Sequence, residues 1–138
     1  MKPSKVYFLL ILLLLFFFNA TSQQVTYDEA KLVAKAKITQ QEKTNFVISE
    51  NINVFSDENQ NTLFYIFELL PQGYIVVTAN MDLPPVIAYS YTNNYIIGNN
   101  QENVLVEILT TDINLRLENL PNIPHEKISE RNKQWNEF

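Results

Sequence analysis

Two runs of strand-forming residues flank a short break. Thr62–Leu70, dense in Phe64, Tyr65, Ile66 and Phe67, is followed by Pro71-Gln72-Gly73, and then Tyr74–Thr78 resumes the pattern. Aromatic and β-branched side chains favour the pleated backbone, Pro71 fixes φ, and Gly73 permits positive φ. This combination predicts a β-hairpin. After Ala79-Asn80-Met81-Asp82, the run Leu83-Pro84-Pro85 forces an extended path, and Val86–Tyr91 supplies a third strand. Three short strands in succession imply an antiparallel sheet.

Helical signals stand on either side of this block. Thr26 and Glu29 make a T-x-x-E capping box, in which each side chain satisfies a backbone donor of the other, so a helix is predicted over Tyr27–Ile38. Tyr27, Ala30, Val33, Ala34 and Ile38 share one face of it. From Glu102 to Leu120 the period is again helical, with Leu105, Leu109, Ile113, Leu117 and Leu120 in one stripe and Glu107, Asn114 and Glu118 opposite. Asp112 falls at the edge of the stripe, and Pro121 ends the helix. Between Phe46 and Phe55, the residues Val47, Ile48, Ile52 and Val54 suggest one or two weak strands, and Ser56–Asn61 reads as a loop. That loop is rich in oxygen ligands but has no glycine for the sharp bend of an EF-hand, which favours a solvated turn over a calcium site. The expected fold is α+β: an antiparallel sheet of three to five strands packed by an N-terminal and a C-terminal helix.

The N-terminus has a different character. Lys2 and Lys5 precede an unbroken apolar run, Val6–Phe18, and the small residues Ala20 and Ser22 stand two apart just beyond it. The run is shorter than the roughly 20 residues a membrane-spanning helix requires. It reads as a secretory signal over residues 1–22, which makes the mature chain secreted or periplasmic. The expected organisation is a signal at 1–22, a single domain at 23–122 and a charged tail at 123–138. In the tail, Trp135 and Phe138 at i, i+3 are expected to dock onto the body or a partner.

Composition narrows the chemistry. The chain has 10 basic and 15 acidic side chains; loss of Lys2 and Lys5 leaves 8 basic ones and a net charge of −7, so nucleic acid is an unsuitable partner. With no cysteine, thiol catalysis, thiolate metal sites and disulfides are excluded, and a single histidine, His125, excludes multi-histidine zinc sites. Two glycines, Gly73 and Gly98, cannot build a phosphate-binding loop. Asp28 with Glu29, and Glu126 with Glu130, sit where helix-start and helix-surface charges ordinarily sit. No catalytic group, metal or cofactor is expected, and binding is the default role.

The strand block carries a resemblance. Asn61-Thr62-Leu63-Phe64-Tyr65-Ile66-Phe67, Gly73-Tyr74-Ile75-Val76-Val77-Thr78-Ala79-Asn80 and Leu83-Pro84-Pro85-Val86-Ile87-Ala88-Tyr89-Ser90 resemble the propeptide of streptopain-type cysteine proteases, a domain that also occurs alone as the Spi protease inhibitor. Asn80 stands where that pattern has aspartate, and Ile87-Ala88 replaces Leu-Gly. The leading and trailing helices follow the same order and spacing. The resemblance implies a non-enzymatic domain that covers the active-site cleft of a cognate cysteine protease and holds its catalytic groups out of register. Within it, Asn80, Met81, Asp82, Leu83, Pro84 and Pro85 are the expected contact, because loops on rigid scaffolds carry recognition and paired prolines preorganise the chain. Two other readings stay open: the propeptide of a protease whose enzyme half is missing, and a secreted binding module without inhibitory activity.

Overall fold

The computed structural model describes residues 24–51, 53–95 and 103–138. The expected export signal lies outside the described residues, as do Ile52, Gly98 and Glu102. Helix α1 spans Tyr27–Gln40 and opens on the anticipated capping box: the Thr26 side chain accepts from the Glu29 N–H while the Glu29 carboxylate accepts from the Thr26 N–H. It runs two residues past the expected end at Ile38 and stops where Glu42 enters the left-handed region at φ 54°.

Five strands follow: β1 (Val47–Ile48), β2 (Asn53–Ser56), β3 (Thr62–Leu70), β4 (Tyr74–Thr78) and β5 (Val86–Ser90). All pairings are antiparallel. β3 is the axis of the sheet. Its first half pairs with β2 and its last two residues with β1 along one edge, while β4 and then β5 extend the other edge. The Pro71-Gln72-Gly73 break is the hairpin turn between β3 and β4, with Gly73 at φ 109°.

Strand β3 is buried on both faces, which explains a run of apolar residues with no polar alternation. Tyr65, Phe67 and Leu69, joined by Ile75 and Val77 of β4, meet Ala30, Val33, Ala34 and Ile38 of α1. Phe64, Ile66 and Val76 face the other way, toward α2, which spans Val104–Asn119. There Leu109 and Ile113 are buried, and Leu105, Leu117 and Leu120 pack at the border as their stripe predicted. Asp112 turns aside to pair with Arg116 at 2.8 Å. The helix begins at Val104, two residues after the expected start at Glu102, because Asn103 caps it, accepting from the Leu105 and Val106 N–H groups. The expected α+β fold is therefore present as a sheet with one helix on each face.

Beyond α2, a 3-10 turn at Leu120–Asn122 carries Pro121, and a third helix, α3, spans His125–Asn136. It has no fully buried residue. It is held instead through Trp135 and Phe138, which pack at the border of the α1 core. Among the described residues, no helix is long and apolar enough to cross a membrane.

Candidate functional site

The Asn80–Pro85 connection joins β4 to β5 and is fastened from below by its own polar groups. Asn80 Oδ1 accepts from the Asp82 N–H at 2.8 Å, and the Asn80 carbonyl accepts from the Leu83 N–H at 3.1 Å. Thr78, fully buried, donates its hydroxyl to Pro84 O at 2.9 Å and its N–H to Pro85 O at 3.1 Å. A buried hydroxyl left without a partner would cost about 1–3 kcal/mol, so these contacts account for a polar residue in the core.

The six expected contact residues take different positions. Leu83 is 0% exposed, its side chain driven into the cluster of Phe64, Ile66, Val76, Leu109 and Ile113. Pro85 is also buried. Asn80, Met81, Asp82 and Pro84 are half-buried, so only they offer surface to a partner. Asn80 in addition forms an isolated antiparallel bridge with Gln24, and Val25 donates to Ala79 O, which ties the N-terminal segment beside the loop. Tyr65 completes that tie by donating to Val25 O at 2.9 Å, and burial pushes its phenol pKa up.

Helix α3 closes the loop from above. Arg131 Nη1 donates to Asp82 O and Trp135 Nε1 donates to Leu83 O, each at 2.9 Å. Farther along, Gln40 of α1 donates to Glu137 O at 3.3 Å. Arg131 and Trp135 stand four residues apart, on one face of α3. Trp135 and Phe138 stand out in the charged tail, but Arg131 does not, because a surface arginine carries no signal of its partner. Between α1, the loop and α3 lies an open groove of about 550 Å³, bounded by Leu32, Val33, Met81, Trp135 and Phe138. Asn132 also lines it, and its Oδ1 is buried with no hydrogen-bond partner.

Of His125, Asp28, Glu29, Glu126 and Glu130, Glu29 alone lines this groove. His125 is exposed at the first position of α3, Glu126 and Glu130 are exposed on the same helix, and Asp28 is exposed at the start of α1. Glu29 is committed to its cap: hydrogen bonds from the Thr26 backbone and then the Thr26 hydroxyl lower its pKa. In the Ser56–Asn61 region, Asp57 organises a turn, accepting from the backbone of Asn59 and Asn61 and from the Asn61 amide, whose side chain is the main reason its pKa is lowered. Among the described residues, no group of three or more His, Cys, Asp or Glu could hold a metal ion.

Comparison with characterised proteins and with solved structures found no significant match for this chain. A protein-family model does match: Spi protease inhibitor, over residues 22–113. That span runs from the segment before α1 through the buried half of α2 and contains the whole sheet and the Asn80–Pro85 connection, while α3 lies beyond it. The partner of such a domain is a protease, and the domain is an inhibitor rather than an enzyme. On a match covering two thirds of its 138 residues, the chain belongs to the Spi protease inhibitor family.

Proposed function

We propose that the chain is exported through its N-terminal segment and inhibits a cysteine protease of the streptopain type by covering its active-site cleft. The observation that carries the protease class is the sequence of the central strands, Gly73–Asn80 followed by Leu83–Ser90, which resembles the propeptide of those enzymes. Export is supported by Lys2 and Lys5 ahead of the apolar run Val6–Phe18, and it is what an inhibitor of exported enzymes requires. A domain lying over the cleft needs no chemistry of its own: it excludes substrate by occupancy, and its affinity depends on how little it must reorganise.

The contact in this reading is the Asn80–Pro85 connection, through Asn80, Met81, Asp82 and Pro84. Leu83 and Pro85 support it from the core. Purified protein lacking residues 1–22 is titrated against a streptopain-type protease and a peptide substrate; slowed cleavage is expected, and full activity at micromolar excess ends the proposal. Replacing Met81 and Asp82 with serine then tests the contact. Potency falls while the fold is retained, because Leu83 stays in place; unchanged potency moves the contact elsewhere on the surface. Capture of a glycan or of a non-protease protein as the main partner supports the reading as a non-inhibitory binding module.

A further inference from the structure

A protease accepts a substrate as an extended chain, pairing its main-chain groups with the cleft and placing the scissile carbonyl among oxyanion-stabilising donors. The Asn80–Pro85 connection has almost no main-chain group left for this. The Asp82 carbonyl is taken by Arg131, the Leu83 carbonyl by Trp135 and the Pro84 carbonyl by Thr78. The Asp82 and Leu83 N–H groups are both taken by Asn80. Pro84 and Pro85 have no N–H at all. Three of these restraints arise within the strand ends and the loop, but two successive carbonyls depend on donors from α3, four residues apart on one helix face.

We propose that Arg131 and Trp135 are positioning residues that keep the Asn80–Pro85 connection in a form a cysteine protease can bind but not cut, so that the chain acts as an inhibitor and not as a substrate. This rests on the inhibitor reading above for its biological sense, though not for its geometry. Helix α3 has no fully buried side chain, and the anchors it does have are few. Its lifting is the route by which the loop would open, and cleavage of an opened segment follows the population of the open form. Each donor removed raises that population.

The test compares wild type with Trp135→Phe, which keeps an aromatic ring but removes the N–H, Arg131→Met, which keeps the aliphatic stem, their combination, and Arg131→Lys, which keeps a donor. Each protein is incubated with a streptopain-type protease and, separately, with the broad-specificity protease subtilisin, and cuts are mapped by mass spectrometry. The expected result is a wild-type loop resistant to both enzymes, and a combined variant cut between Asn80 and Pro84 at least about tenfold faster by both, as loss of two hydrogen bonds implies. Arg131→Lys is expected to restore most of the resistance, which a general loss of packing would not allow. Equal resistance in the combined variant, or faster cutting spread evenly over the whole chain, overturns the proposal. Subtilisin needs no inhibitory complex, so failure of the inhibitor reading appears separately, as wild type that does not slow the streptopain-type enzyme.

Discussion

The indole N–H of Trp135 donates to the main-chain oxygen of Leu83 at 2.9 Å, while the Leu83 side chain points away into the core between the sheet and α2. One residue thus couples a helix beyond the matched family segment to the centre of the domain. Leu83→Ala opens a cavity at a fully buried position and is expected to cost about 2–5 kcal/mol, whereas Met81→Ser, half-buried beside it, costs about 1 kcal/mol. Urea denaturation of the two variants measures the difference, and similar midpoints would contradict this placement of Leu83.

The hairpin turn leaves no room for a side chain. A Cβ at Gly73 would lie 2.3 Å from Ser90 O and 3.1 Å from Tyr91 Cα, and φ of 109° is itself unfavourable for any L-residue with a side chain. Gly73→Ala is therefore expected to destabilise the fold by about 2–4 kcal/mol, more than an exposed turn substitution costs. Thermal unfolding followed by circular dichroism reads it; a melting temperature equal to wild type refutes it.

Acid should weaken the domain through two carboxylates. Glu29 is held below its ordinary value of 4.5 by Thr26, and Asp57 below its ordinary value of 3.8 by Asn61. In both cases folding favours the charged form, so the unfolded chain binds more protons and stability falls as pH falls. The contribution is fully present above those ordinary values and is lost as pH drops through the depressed ones. Melting temperature measured across this range should decline on acidification, and less steeply in Glu29→Gln and Asp57→Asn. Thr26→Ala, which removes the cap itself, is expected to cost about 1 kcal/mol at neutral pH.

Tyr65→Phe removes the hydroxyl that reaches Val25 O and leaves that carbonyl short of a partner. The expected cost is about 1–2 kcal/mol. The signature is local: the Val25 N–H, bonded to Ala79 O at 3.0 Å, should exchange with deuterium faster than the amides of β3 and β4. Uniform acceleration across the sheet would instead indicate global destabilisation.

Local chemistry made much of the fold legible in the sequence. Thr26 and Glu29 start a helix because their side chains lie within reach of each other's backbone, and Pro71 with Gly73 makes a turn because of the conformations these residues permit. The stripe from Leu105 to Leu120 needs only helical periodicity to be seen. The Ser56–Asn61 loop is likewise set by Asp57 bonding to residues two and four positions ahead.

Long-range packing decided the rest. An unbroken run such as Phe64-Tyr65-Ile66-Phe67 announces a buried strand without saying what covers either face; that depends on α1 and α2 arriving from opposite ends of the domain. Leu83 follows a polar turn and precedes two prolines, so its sequence context reads as loop surface, yet the space between Phe64 and Ile113 takes it into the core. Asn80 to Pro85 can be marked as a connection from sequence, but its fastening by Arg131 and Trp135 spans 49 and 52 residues. The sequence alone determined the hairpin, the helix start and the charged character of the last helix. Only the tertiary structure decided that this helix lies across the loop, because hydrogen bonds between distant segments leave no periodicity or spacing in the chain that makes them.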